Sequence, residues 1–177
     1  MDEHERAKLF EQMVMPHLDA AYNLARWLAG NDPDAQDVAQ EATLRAFKFF
    51  GSFRGENARA WLLTIVRNTF YTWLRKNRPQ EKMIPIENET LEIEDSSATA
   101  QQAHPPFADA DAVRRAIAEL PVEFREIVIL REMEGFSYQE IAELAEVPIG
   151  TVMSRLARAR KLLQKRLAAD FKPEGPR

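Results

Sequence analysis

The chain of 177 residues contains no cysteine. Disulfides and thiolate metal sites are therefore excluded, and a reducing compartment fits. Histidine is nearly as scarce: His4, His17 and His104 lie far apart, so a histidine metal site would need the fold to gather them, and none is expected. Glycine is limited to six residues, and alternating apolar runs are few, which argues against a β architecture. No apolar stretch approaches the ~18 residues of a membrane span. The opening MDEHERAKLF is charged and has no apolar core, unlike a signal peptide. No Ser/His/Asp or Cys/His set is suggested by spacing, and no glycine-rich phosphate loop is present. The expectation is a soluble cytoplasmic protein without membrane insertion, catalytic residues or a cofactor.

What is present is a packable chain with polarised charge. Hydrophobic residues make up 45% of the sequence, enough for a core, and the net charge is −4. That balance hides a pattern. Residues 54–78 carry six basic side chains and one acidic, Glu56. Residues 155–172 carry seven basic and one acidic, Asp170. Between them, residues 79–108 carry six acidic and one basic, Lys82. Phosphate contacts depend on local patches, so the acidic total does not dismiss nucleic acid as a partner.

The punctuation is helical throughout. Asp32-Pro33 places a capping carboxylate before a proline at a helix start, and Gly30 ends the helix before it. Ala35, Val38, Ala42, Ala46 and Phe49 recur at helical spacing and are expected in the core. GSFRGE at 51–56 reads as a loop, and Asn57 caps a helix from Ala58 to about Lys76. Then 79–108 changes character, rich in Pro, Ser, Thr, Gln and acids without a sustained period, and reads as a flexible acidic linker. MIPIENETLEI within it could instead pair as strands, though an isolated hairpin is marginal in water. From Asp109, Val113, Ile117 and Leu120 form an apolar stripe, and Phe124, Ile127 and Val128 continue on a second helix that Gly135 stops. The fold class is all-α: two small helical domains, 1–78 and 109–177, joined by the linker 79–108.

The last segment carries the sharpest signal. Ser137-x-x-Glu140 is a capping box. Pro148 lacks an N–H and cannot continue the helix that this box begins, so a second helix starts beside it. There Ile149, Val152, Leu156, Ala159 and Leu163 make the expected buried stripe. Thr151, Ser154, Arg155, Arg158 and Lys161 fall on the expected open face. That is a helix–turn–helix whose second helix suits the major groove, where Arg can bond guanine bidentately. The plain alternative is a solvated amphipathic helix.

FSYQEIAELAEVPIGTVMSRLARARKLL resembles the C-terminal DNA-binding domain of bacterial sigma factors, above all the small extracytoplasmic-function group of the sigma-70 family. LPVEFREIVILREMEGFSYQEIA is similar to the helices that precede it in that domain. AYNLARWLAGNDPDAQDVAQEATLRAFKFFGSFRGENARAWLLTIVRNTFYTWLRK resembles the sigma domain that binds polymerase and melts the promoter. Three positions depart from the usual pattern: Glu146 where Gly is common, Met153 where Lys is frequent, and Ala58 where Phe is frequent.

The resemblance implies a transcription initiation factor whose partners are core RNA polymerase and promoter DNA, as duplex and as melted non-template strand; it leaves open whether an anti-sigma factor holds it. It implies polymerase docking through Asp37, Gln40, Glu41, Leu44 and Lys48. An exposed Leu among carboxylates suits a basic helical partner, while the ordinary alternative is a solvated acidic face. It places capture of an unpaired minus-ten base in the loop spelled SFRGENAR, hence at Arg54, Asn57 and Arg59. The following helix adds Trp61, Asn68, Tyr71, Thr72 and Arg75, since aromatics beside basic groups suit single-stranded DNA; for Trp61 and Tyr71, core packing is the alternative. The implied upstream contacts are Thr151, Ser154, Arg155, Arg158 and Lys161. The rival readings are a plain DNA-binding regulator with a helical sensory half, and a helical adaptor that never touches DNA.

Overall fold

The computed structural model describes residues 1–81 and 109–170. The linker reading, with its hairpin alternative, falls largely on 82–108, outside the described residues. Every regular element among the described residues is helical.

The first unit comprises α1 (Glu3–Met13), α2 (Leu18–Ala29), α3 (Asp32–Phe49) and α4 (Ala58–Asn77). Gly30 closes α2 at φ 87, a left-handed conformation that any Cβ would strain. The cap of α3 is not Asp32 but Asn31, whose side chain accepts from the Asp34 N–H. Asp32 sits inside the first turn and receives Arg26 Nε at 2.6 Å and the Tyr22 hydroxyl at 3.0 Å. Asn57 caps α4 as the sequence indicates, accepting from Ala60 N–H at 2.9 Å. Leu24, Leu28, Val38, Leu62, Val66 and Phe70 form the dry centre. Phe49 is not in it: its side chain is 53% exposed. Its neighbour Phe50 is buried in its place, because the chain tightens into a 3-10 turn at Phe50–Ser52. Phe10 of α1 meets Phe47 and Phe50 edge-on. Arg6 donates to the carbonyls of Phe47 and Lys48, bridging α1 to the C-terminal end of α3.

The second unit comprises α5 (Ala110–Ala118), α6 (Val122–Val128), α7 (Tyr138–Ala145) and α8 (Ile149–Asp170). A π turn, Ile129–Met133, extends α6, with Glu134 N–H donating to Ile129 O. Phe124, Ile127, Leu130, Phe136, Ile141 and Leu156 are buried between these helices. The α7 cap is a full box: Ser137 Oγ accepts from Glu140 N–H at 3.1 Å, and Glu140 accepts from Ser137 N–H at 2.7 Å. Glu146 follows at φ 55, left-handed without being glycine. Such a residue costs about 1–2 kcal/mol. Glu146→Gly is therefore expected to raise the melting temperature by ~2–4 °C, by scanning calorimetry.

The two units share one core. α4 packs on α7, and α2 packs on α6. Arg125 Nη1 donates across the junction to Trp27 O at 2.9 Å and Leu28 O at 3.3 Å, the last carbonyls of α2. Burial lowers the Arg125 guanidinium pKa. Glu126 is fully buried and receives Arg67 Nε and, at 2.6 Å, the Tyr71 hydroxyl.

Candidate nucleic-acid interface

Helix α8 is oriented by α7. Its first turn begins where Thr151 N–H and Val152 N–H reach back to Pro148 O. Val152, Leu156 and Ala159 are buried as expected. Arg155 is the correction: it is 4% exposed and belongs to the buried side. It lies three residues beyond Val152 and one before Leu156, inside an apolar stripe that spans at least ~100° of a packed helix. Ile149, expected inside, is 44% exposed. The open face of α8 is thus rotated by about one residue. Met153, Ala157 and Lys161 are exposed, while Thr151, Ser154 and Arg158 are half-buried. Arg160, off that face, pairs with Glu132 at 2.9 Å.

Helix α4 presents two stripes. Asn68, Thr72 and Arg75 are exposed together, at intervals of four and three that place them on one face. Thr72 Oγ1 donates to Asn68 O at 3.0 Å. The second stripe is Arg59, Leu63, Arg67 and Tyr71, spaced by four, and it meets the second unit. Tyr71 is buried with its hydroxyl on Glu126, so the expectation of an open DNA-facing Tyr71 does not hold in this arrangement. Burial first, then the Glu126 carboxylate, pushes the Tyr71 hydroxyl pKa well up. Burial alone would lower the Arg67 guanidinium; Glu126 outweighs it and holds Arg67 above its ordinary value. Arg59 is likewise engaged, donating Nη2 to Glu134 Oε2 at 2.6 Å and to the Glu134 carbonyl. Arg67 is the residue that sequence reasoning missed. It falls between core Val66 and exposed Asn68, so neither the apolar nor the open stripe claims it.

In the loop before α4, Arg54 is exposed and Asn57 serves as the cap. Trp61 is half-buried, its ring 5.1 Å from Phe53 and 6.2 Å from Phe50. Trp61 thus packs against the loop aromatics and keeps part of its surface exposed.

Helix α3 turns Asp37, Gln40, Glu41, Leu44 and Lys48 outward, all exposed. Leu44 is 62% exposed, and Phe47 beside it 38%. Glu41 pairs with Arg45 at 2.9 Å within the helix. An apolar spot ringed by charge is the composition of a docking surface. Among the described residues no acid and histidine cluster could hold a metal, and no helix is long and apolar enough to cross a membrane.

The two units have counterparts in known proteins. Residues 13–80 match the family described as Sigma-70 region 2, and residues 110–163 match Sigma-70, region 4. The ECF RNA polymerase sigma factor SigE of Mycolicibacterium smegmatis is 34% identical over 160 residues, which cover 90% of this chain and 62% of that protein. The RNA polymerase sigma-H factor of Pseudomonas aeruginosa is 34% identical over 168 residues, covering 90% of this chain and 86% of that one. Among solved structures, the sigma factor RpoE of Bartonella quintana, in complex with the anti-sigma factor NepR, superposes with a TM-score of 0.70 at 32% identity. That superposition covers 92% of this chain and 99% of RpoE.

Proposed function

Because this chain belongs to the extracytoplasmic-function group of sigma-70 factors, which direct RNA polymerase to promoters, we propose that it also helps open them. The observation that carries this reading is the order of the two family matches, 13–80 and then 110–163, each on a unit with an exposed face of fitting chemistry. In this reading residues 1–78 hold core polymerase and the minus-ten element, 79–108 link, and 109–177 read the upstream element. Asp37, Gln40, Glu41, Leu44 and Lys48 dock on polymerase. Arg54, Asn57, Arg59, Trp61, Asn68, Thr72 and Arg75 hold the melted strand, with Tyr71 as a supporting residue. The partners are core RNA polymerase and promoter DNA, in the cytoplasm, and the protein acts as an initiation factor without catalysing a reaction of its own. The likeness to RpoE, solved with its anti-sigma factor, supports a regulatory partner of that kind here.

In α8, Lys161, Arg158, Ser154 and Thr151 are assigned to DNA, and Arg155 to supporting them. Arg158→Ala is expected to weaken upstream-element binding by ~1–3 kcal/mol if it meets a base edge. Arg155→Ala is expected to lower the melting temperature first, because it empties a buried position. Fluorescence anisotropy with duplex DNA, beside thermal melting, separates the two. The reading as a whole is tested by runoff transcription with purified core polymerase. Promoter-specific transcripts that depend on this protein are expected; their absence, with the protein folded and bound to core, would remove the opening role.

A further inference from the structure

The open face of α8 changes chemistry along its length. Its exposed residues run Ile149, Gly150, Met153 and Ala157, and only then Lys161. Intervals of three and four put Gly150, Met153, Ala157 and Lys161 on one line. As far as Ala157 that line carries no charge and no hydrogen-bonding side chain, and Met153 stands out from it at 53% exposure. The polar neighbours Thr151, Ser154 and Arg158 are half-buried on its flank, and Ser154 Oγ donates back to Thr151 O at 3.4 Å. Gly150 sits within the helix without a positive φ, and a Cβ placed on it would meet nothing within 4 Å. The fold therefore does not ask for glycine there, although glycine weakens a helix; a bare backbone suits close approach by another molecule. The strip is narrow. A stable protein partner covers about 800 Å² on each side, whereas the major groove receives a single helix and meets it with the residues of its first turns.

We infer that Met153 and Ala157 read thymine, by apolar contact with its methyl group in the major groove, and so set part of the base preference of the upstream element. This rests on the reading of α8 as the helix that enters that element. The thymine methyl is the apolar group that base pairs present in the major groove; the other edges there are hydrogen-bond donors and acceptors, which an apolar side chain would cover and leave unpaired. Four residues of helix rise ~6 Å, less than two base-pair steps of ~3.4 Å. The two thymines therefore lie within two steps of each other, on either strand. Arg158 and Lys161 keep the DNA contacts already assigned to them. Met153 joins them as the residue that adds a preference for A·T pairs.

The test uses holoenzyme formed from the full-length chain and core RNA polymerase. Duplexes that it retains from a randomised library are sequenced, and the enriched upstream stretch, labelled with fluorescein, becomes the probe for anisotropy. A twin probe carries deoxyuridine for every thymidine of that stretch, which removes the methyl groups and nothing else. The parent is expected to enrich thymines within two steps of each other and to bind the twin more weakly, by about fourfold for each methyl contacted. Met153→Ala is expected to melt with the parent, since the side chain is exposed, and to show a penalty for the twin about fourfold smaller. That comparison separates contact from any effect of the methyl on duplex shape. Met153→Lys is expected to lose the same part of the penalty and to bind with a steeper salt dependence. Equal affinity of the parent for both probes would overturn the inference, and so would a penalty that Met153→Ala leaves unchanged. Loss of core-polymerase binding in Met153→Ala, with no discrimination between probes by the parent, would overturn it and give the strip to a protein partner. If the parent enriches no upstream stretch, the reading of α8 falls and the inference with it. If it enriches one that is indifferent to uracil, the reading of α8 stands and the inference alone falls.

Discussion

Replacing Asp37 and Glu41 by lysine is expected to lower the affinity for core RNA polymerase by two orders of magnitude or more. Both carboxylates are exposed on α3, four residues apart on one face. Neither supports the core, which takes Ala35, Val38, Ala42 and Ala46 from the opposite side. The one local interaction lost is the exposed pair of Glu41 with Arg45, and such pairs are worth ~0.3–0.5 kcal/mol. Folding therefore survives. Facing a basic helical partner, two reversals turn attraction into like-charge contact, which costs several kcal/mol. At ~1.4 kcal/mol per decade, the loss exceeds a hundredfold. Fluorescence titration against core polymerase measures it, with thermal melting as the control. A folded double variant that binds core as tightly as the parent would remove the α3 face from the polymerase interface and bring a plain DNA-binding regulator forward.

Removing Asn68 and Thr72 together has the other large effect. Both side chains are exposed on α4, so Asn68→Ala with Thr72→Ala leaves the core intact. Two polar contacts to an unstacked base are worth ~0.5–1.5 kcal/mol each, together ~1–3 kcal/mol, which corresponds to roughly 5–150-fold in open-complex formation at ~1.4 kcal/mol per decade. Transcription from a fully paired promoter falls by that factor. A template carrying a pre-melted bubble recovers most of the loss, because its unstacking cost is already met. Equal defects on both templates would mean that the pair acts elsewhere than in opening. Trp61 is a poorer probe of the same step, since its contacts with Phe50 and Phe53 couple any substitution to the fold.

The helices were legible because their ends are written in local chemistry. Gly30, Asn57 and the Ser137–Glu140 box each act within a few residues, where sequence order and spatial order coincide. The cap of α3 was misplaced by one residue because Asn31 and Asp32 are both good caps, and only the contacts of Asp32 with Arg26 and Tyr22 separate them. Arg155 was misread for a different reason. Charge suggested exposure, while its position beside Leu156 placed it in the packed stripe. The exposure of Asp37, Gln40, Glu41, Leu44 and Lys48 on α3 was legible from polarity and spacing; their assignment to polymerase came only from the family resemblance. The junction between the units was not. Arg67 and Glu126 are 59 residues apart, and each has the charge of an ordinary surface residue. Nothing periodic marks a residue whose burial depends on a neighbour supplied by another part of the chain.

The π turn after α6 bears on which lengths of this chain are tolerable. Ile129–Met133 accommodates one residue more than an α-helical turn would, and Glu134 and Gly135 follow it at once. Removing that extra residue would restore regular winding and keep the flanking register, whereas adding one more would swing the following side chains by ~100°. Glu134 would then leave Arg59, and Phe136, whose ring lies 4.6 Å from the Arg59 guanidinium, would turn with it. A surface loop absorbs such a change at little cost; here Phe136 is buried and its carbonyl accepts from Arg131, so the change would reach the start of α7. Homologous chains longer than this one are therefore expected to carry their extra residues outside 129–136, and an insertion scan across the second unit would show this segment as its least forgiving stretch.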